Sequence, residues 1–278
     1  MTSPRPLLVV DGDSLAHRAY HGLPKTTRDA DGRPANMLVG IANMLTTLWD
    51  TVGPRTLLTC WDTLTTPTYR HETLSEYQSG REFDRELLEQ LDRLPELSES
   101  FGWPAAKAAG YEADDFLAAA SAGESARGGM TVVVTSDRDS FQLVGDSVSV
   151  LLPKRGVVEL ESVGPTEVVE RYGIEPSQVV DFIALRGDPS DKIPGARGIG
   201  PVKAAALLAE HGSLDAILAA GRFESEADAL RLYREVATMQ VDAPLPPLPD
   251  ADPDWENAAR WARDTGLLGV AERLEARA

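Results

Sequence analysis

Nine acidic side chains are spaced in a way that could hold cations. Asp11, Asp62 and Asp137 each follow a short apolar run: Pro6-Leu7-Leu8-Val9-Val10, Thr56-Leu57-Leu58-Thr59-Cys60-Trp61 and Thr131-Val132-Val133-Val134-Thr135-Ser136. Glu112, Asp114 and Asp115 crowd into four positions, Asp139 lies two residues beyond Asp137, and Asp188 and Asp191 share the loop Arg186-Gly187-Asp188-Pro189-Ser190-Asp191. Taken singly, such acids cap helices or make turns. Three strand ends and a carboxylate triplet are more than capping requires. Carboxylates gathered in one place repel and need cations or protons. Oxygen ligands in a chain with 4 histidines suit magnesium or manganese better than zinc. Two such ions roughly 3.5–4 Å apart are the usual means of hydrolysing phosphodiesters.

A second segment suits phosphate. Ile193-Pro194-Gly195-Ala196-Arg197-Gly198-Ile199-Gly200-Pro201-Val202-Lys203 joins two helical patterns. Gly198 and Gly200 allow tight turns, and Pro201 suits a first helical position. The amides that open that helix, with Lys203 beside them, form a candidate phosphate site. Residues 181–212 hold four acids and four bases; setting Asp188 and Asp191 aside for metal leaves +2.

These residues need a frame. The three apolar runs are β-rich and continuous, as strands buried on both faces are. Helical patterns lie near 37–52, 82–100 and 113–122, so strands and helices alternate, which predicts a mostly parallel α/β sheet. Ligands of such sheets sit beyond the carboxyl ends of the strands, where all three aspartates fall. Further strands are expected at 147–152 and 157–160. From about residue 165 the pattern is helical only, with helices expected at 165–172, 177–186, 201–210, 213–220 and 226–238. The stretch from Pro244 to Pro253 is rich in proline and acid and reads as an extended connector, followed by one amphipathic helix over 255–275.

The chain has 278 residues, enough for roughly two domains or one large one. Its 27 basic and 44 acidic residues give a net charge of −17, which as a whole-chain figure argues against binding nucleic acid. Assigning nine acids to metal leaves −8 for the remainder. No apolar run approaches the roughly 20 residues of a membrane span, and no signal peptide is visible. The single cysteine, Cys60, suits a reducing compartment, so a cytoplasmic location is expected; its apolar surroundings suggest a buried thiol. His17 and His21 are four apart on an expected helix, with no third soft ligand near them in sequence.

Taken together, the motifs resemble the 5′ nuclease family, the flap endonuclease-like domain at the N-terminus of bacterial DNA polymerase I. The match is carried by Val10-Asp11-Gly12, Trp61-Asp62, Tyr69-Arg70-His71-Glu72, Gly110-Tyr111-Glu112-Ala113-Asp114-Asp115, Ser136-Asp137-Arg138-Asp139 and Gly187-Asp188-Pro189-Ser190-Asp191 with the glycine hairpin. They occur in family order across roughly 5–275. The resemblance implies a Rossmann-like (PIN-like) α/β core over 1–164 with a helical arch at about 63–100. It further implies a helical DNA-binding region over 165–243, with a helix–three-turn–helix at about 181–212, then the connector and C-terminal helix over 244–278. It implies a first metal site at Asp11, Asp62, Glu112 and Asp114 and a second at Asp137, Asp139, Asp188 and Asp191, with Asp115 between them. The implied chemistry is Mg2+-dependent hydrolysis with two or more ions, Mn2+ able to substitute, leaving a 5′-phosphate. Arg18 and Arg70 match family positions and are expected at DNA, together with Lys192, Arg197, Gly198, Gly200 and Lys203. Tyr77 is expected to stack on a base, and Arg81 to stand near the scissile phosphate.

There are two departures from the family pattern. The arch normally opens with Tyr-Lys, whose lysine assists catalysis; here Gln78 follows Tyr77 and cannot supply that charge. Residues 63–100 hold nine acids and four arginines, a net of −5, a poor surface for threading a strand. Lys192 stands where an asparagine is common. A stand-alone monomeric nuclease is expected, acting on DNA flaps, nicks or gaps, with RNA–DNA hybrids a further candidate. One alternative is a structure-specific DNA-binding protein without catalysis. Another is a haloacid dehalogenase-like phosphatase, imitated by Asp11-Gly12-Asp13-Ser14 and Gly187-Asp188. The phosphatase needs a strand before Asp188, whereas Val179-Val180-Asp181-Phe182-Ile183-Ala184-Leu185 reads as helix, and it leaves the Glu112 triplet idle.

Overall fold

A computed structural model describes residues 5–64, 66–80 and 83–278. The first apolar run is strand β1 (Leu7–Asp11), buried throughout. Its side chains alternate: Leu7 and Val9 enter one apolar cluster, Leu8 and Val10 the other. Helices α1 (Gly12–Gly22) and α2 (Asn36–Val52) follow, then β2 (Thr56–Cys60). The segment after β2 carries three short helices, α3 (Tyr69–Thr73), α4 (Arg85–Leu91) and α5 (Leu94–Ser100), before the two-residue edge strand β3 (Ala105–Ala106). Helix α6 (Ala113–Ala126) leads to β4 (Thr131–Val134), and β5 (Val148–Arg155) and β6 (Glu159–Val163) complete the sheet.

The strand order is β3-β2-β1-β4-β5-β6. Strands β1 to β5 are parallel and β6 runs antiparallel to β5. Val9 pairs with Leu58 on one side and Val133 on the other. Chain order reverses about β1, so a crevice opens beyond its carboxyl end, between β2 and β4. Asp11, Asp62 and Asp137 lie there because Asp11 ends β1 and the other two follow β2 and β4.

The remaining chain is helical: α7 (Pro165–Tyr172), α8 (Val179–Arg186), α9 (Pro201–His211), α10 (Leu214–Ala219) and α11 (Ala227–Ala237), then α12 (Trp255–Asp264) and α13 (Leu268–Glu275). Phe182, Ile183 and Leu185 of α8 share one apolar cluster with Phe116 and Val150, so the helical region and the sheet pack through a common core.

Two helical expectations are corrected. The helix expected over 82–100 is two, broken at Asp92-Arg93. Their Leu87, Leu91, Leu94 and Leu97 are buried in the second cluster with α2, so this half of the expected arch is packed onto the body. The C-terminal helix also divides, at Gly266. Its φ is +75°, and a Cβ there would approach the Ala30 amide nitrogen to 2.6 Å. After the extended stretch following Ala243, α12 and α13 return to the sheet domain, where Ala258, Ala262, Val270 and Leu274 are buried beside Leu97 and Phe101. The strand β3 is too short to leave a periodic signal in the sequence.

The hairpin between α8 and α9 is held by backbone crossing. Asp188 and Ile193 exchange both amide–carbonyl bonds at 2.8 Å. Gly187 and Gly195 lie so close that a Cβ on Gly195 would come within 2.4 Å of the Gly187 nitrogen, and Gly195 has φ +74°. Gly195→Ala should therefore destabilise the protein by about 1–3 kcal/mol; a denaturant midpoint unchanged from wild type would show that the crossing has slack.

Candidate metal centre

Each carboxylate of the first group is fixed by the element that carries it. Asp11 caps α1, accepting from the Ser14 amide at 2.9 Å, and its other oxygen accepts from the Thr135 hydroxyl at 2.5 Å. Asp62 accepts from the Ala113 amide, which opens α6, at 2.7 Å. The Asp62 amide in turn donates to Asp13 at 2.7 Å. Glu112, the cap of α6, accepts from the Thr68 hydroxyl at 2.9 Å and the Tyr77 hydroxyl at 3.0 Å. A cleft of about 400 Å³ is lined by Asp11, Asp13, Asp62, Glu112, Asp114, Asp137 and Asp191 together.

Gathering these groups raises their affinity for protons. Burial, then the charges of Asp62 and Asp137, pushes Asp11 up to about 7 against the hydrogen bonds from Thr135 and Ser14. Burial chiefly, then Asp62 and Asp11, holds Asp13 well above the usual carboxylate range. Asp114 is raised well above it by burial and by Asp137 and Asp11. Glu112 is raised by burial, with Arg70 opposing.

The second group is contiguous with the first through Asp137, which also lines a second cleft of about 480 Å³ with Asp139, Arg186 and Asp188. Asp137 accepts from the Asp139 amide at 2.9 Å. Asp188 accepts from the Ser190 amide at 2.8 Å, from the Ser190 hydroxyl and from Arg186 at 3.0 Å. Burial alone would raise Asp188, yet the Ser190 hydrogen bonds and the Arg186 charge hold it below the usual range. Burial and the aspartates Asp137, Asp188 and Asp191 raise Asp139 instead. Asp191 accepts from the Gln78 side-chain amide at 3.0 Å, and that amide also donates to the Tyr77 oxygen at 2.8 Å. Gln78 thus ties the start of the arch to both carboxylate groups, with its own φ at +46°.

Three expectations change. Asp115 is fully buried and paired to Arg70 through both oxygens, at 2.8 and 2.9 Å; it also accepts from the Glu112 and Gln240 amides. Its lone pairs serve the protein, so it is a structural acid and not a free ligand. Arg70, 3% exposed, donates to Asp115 and to the Val236 carbonyl at 3.1 Å, and lies 3.4 Å from Glu112; buried in this way it cannot reach DNA. Tyr77 is also 3% exposed within the core, with its hydroxyl on Glu112, so its ring has no face free for a base. Arg81 lies outside the described residues. Asp13 is the residue that the metal assignment passed over. Its signal was the Asp11-Gly12-Asp13 spacing, which the phosphatase pattern had claimed. That phosphatase arrangement fails, because residues 179–186 are helix α8.

The expected nucleic-acid side chains divide. Arg18 donates to the Ser136 hydroxyl at 3.1 Å and the Pro153 carbonyl at 2.7 Å, at the edge of the cleft. Lys192 donates to Ser79 at 2.8 Å, and Lys203 to the Gly198 carbonyl at 3.0 Å. Arg197, Gly198, Gly200 and Lys203 are exposed, although the Arg197 amide is taken by Glu226 at 2.9 Å.

Among the described residues no three His, Cys, Asp or Glu side chains form a ready-made coordination cage. Hydroxyl, amide and guanidinium donors occupy carboxylate oxygens that an ion would take. The donor set itself fits hard divalent cations: it is all oxygen, densely anionic and raised in proton affinity where cations would relieve it.

Residues 6–173 match the family model described as 5′-3′ exonuclease, N-terminal resolvase-like domain, and residues 174–256 that described as 5′-3′ exonuclease, C-terminal SAM fold. The chain is 34% identical to a 5′-3′ exonuclease of Mycobacterium tuberculosis, covering 97% of this chain and 96% of that one. It is 36% identical to DNA polymerase I of Mycobacterium bovis over 88% of this chain, and spans 28% of the polymerase's length. Its fold is similar to that of the T5 5′-exonuclease solved with divalent metal ions (zinc) bound, with a TM-score of 0.69, 20% identity and 97% of each chain covered.

Two outcomes are expected. Arg70→Met leaves Asp115 buried without its counter-charge and should cost about 3–5 kcal/mol in denaturant unfolding; a loss below 1 kcal/mol would show the pair to be dispensable. In metal-free buffer, stability should fall as pH rises from 5 to 7.5. Across that window unfolded aspartates are ionised, whereas Asp11, with a folded value of about 7, keeps a proton that it must lose. Carboxylates held low, such as Asp188, are ionised in both states and contribute no slope. Thermal melts in chelator check the sign, and added magnesium should reverse the loss at pH 7.5.

Proposed function

Because the chain belongs to the 5′-3′ exonuclease family, we propose that it is a metal-dependent nuclease that hydrolyses DNA phosphodiesters from 5′ ends and at 5′ flaps. The observation that carries this reading is the cleft at the sheet's switch point, where seven carboxylates converge beside the α8–α9 hairpin, joined through Asp137 to the cleft that Asp139 and Asp188 line. In the division we adopt, 1–164 is the nuclease core, 165–243 the DNA-binding helices and 244–278 the returning connector and helices. Mg2+ is the expected ion and Mn2+ its substitute. When bound, the ions supply charge for the phosphodiester oxygens and acidify the attacking water.

The protein's own residues do the remaining work. Asp11, Asp62, Glu112 and Asp114 hold one ion, with Asp13 beside them through the Asp62 amide; Asp137, Asp139, Asp188 and Asp191 hold the other. Thr135 orients Asp11, and Thr68 and Tyr77 orient Glu112. The Arg70–Asp115 pair keeps α3 against α6 so that these orientations persist. Arg18 at the cleft edge suits a phosphate near the cut. Gly198, Gly200 and Lys203 at the start of α9 suit the duplex backbone, with Arg197 and Lys192 flanking them. Substrates of this shape include flaps, nicks, gaps and RNA–DNA hybrids, taken by a monomer in the cytoplasm. Among the described residues no helix is long and apolar enough to cross a membrane.

Incubation with a 5′-flap duplex and magnesium should release short fragments bearing 5′-phosphates. Asp11→Asn and Asp137→Asn should each slow cleavage by more than about 100-fold, beyond what supporting contacts around a metal contribute, and still bind the flap. Flap binding without cleavage in either magnesium or manganese would establish the non-catalytic alternative.

A further inference from the structure

Arg186 ends α8 and stands inside the second carboxylate group. Its Nη2 lies 3.0 Å from Asp188 Oδ2 and 3.7 Å from Asp139 Oδ1. The guanidinium lies over the Phe182 ring, 5.4 Å from its centroid, and Nε is buried without a hydrogen-bond partner. Gly187, with φ +77°, follows it directly, and a Cβ there would come within 2.7 Å of the Ile193 and Pro194 carbonyl oxygens. The guanidinium therefore sits on oxygens that a second divalent ion would need. The first group differs. Arg70 reaches Glu112 at 3.4 Å but is bound to Asp115 and the Val236 carbonyl. The nearby cation Lys192 turns to Ser79.

We propose that Arg186 is a tethered counter-cation of the second carboxylate group, which positions Asp139 and Asp188 before metal arrives and then competes with the incoming ion, so that the second ion binds more weakly than the first. This rests on the two clefts joined at Asp137 forming a two-ion centre. A positive charge within 4 Å of two ligands repels a divalent ion directly, and its hydrogen bond to Asp188 must break before that oxygen can turn to metal. Arg186 acts through the aspartates, as a positioning residue.

Manganese binding to the full chain, followed by electron paramagnetic resonance of the free ion and by calorimetry, reads the inference without cleavage. Wild type should bind one ion tightly and a second at least about tenfold more weakly. Arg186→Met should tighten the weaker class at least about tenfold and leave the tight class unchanged. In chelator it should melt below wild type, because the aspartates then repel uncompensated. Arg186→Lys, which keeps the charge, should restore the weak second class. If Arg186→Met does not fold without metal, Arg186→Gln, which keeps amide donors and loses the charge, takes its place. A second class that is unchanged or weakened in the neutral variant overturns the inference, as does equal affinity for both ions in wild type. If wild type binds no manganese and does not cleave flaps, the nuclease reading fails too; cleavage with an unchanged second class overturns the role of Arg186 alone.

Discussion

Repulsion among carboxylates gathered at one edge of the sheet is the constraint on which the rest of this structure depends. Asp11, Asp13, Asp62, Glu112, Asp114, Asp137 and Asp191 line a single cleft, and their mutual charge and burial raise the proton affinity of four of the seven. No fold holds such a set without donors. Here the donors are strand-end hydroxyls, helix-opening amides and two arginines. Hydroxyls of Thr135 and Thr68, the Ala113 amide and the Asp62 amide each take one carboxylate oxygen. Such bonds are modest singly, but leaving a buried charge without partners is expensive.

Arg70 and Arg186 divide the remaining burden. Arg70 is buried and joins three parts of the chain: α3 that carries it, Asp115 on α6, and the end of α11 through the Val236 carbonyl. The Gln240 amide and the Tyr69 hydroxyl, the latter on the Thr238 carbonyl at 2.8 Å, extend the same junction. The helical region is thereby locked to the sheet beside the cleft, and the distance between hairpin and carboxylates is set. Arg186 is more open, on the α8 side, where the hairpin meets Asp139.

The net charge of −17 is also redistributed by the structure. Part of it is the cleft, where divalent ions would offset it. Part of the acidity of residues 63–100 is answered from the loop before α2: Lys25 pairs with Asp84 at 3.3 Å and Arg28 with Glu86 at 3.3 Å, while Arg93 reaches Asp29. The Lys25 and Arg28 pairs fasten α4 to the body more than they stabilise it, since exposed ion pairs are worth little, whereas Arg93 meets a buried Asp29. Basic side chains also stand near the carboxylates: Arg18 donates to Ser136 of the cleft wall, and exposed Arg138 lines the second cleft with Asp137 and Asp139. The salt dependence of binding grows with the number of phosphates that side chains neutralise.

The sheet and its ligand edge were legible in the residues, because strands buried on both faces leave continuous apolar runs and each of the three ended beside an aspartate. The resemblance to the 5′ nucleases was legible for the same reason: its motifs are local in sequence. The breaks at Asp92-Arg93 and Gly266 were not, since they answer to packing on α2 and Ala30. By itself the sequence determined which acids exist and which strand ends present them. Only the tertiary structure decided their roles. Whether a carboxylate is free for metal or spent on an arginine depends on partners 45 and more residues away, as for Asp115 with Arg70 and Gln240. Burial likewise turned Tyr77 from a surface ring into a core one. It is pairing across the fold, which no local spacing encodes, that separates a ligand from a structural acid.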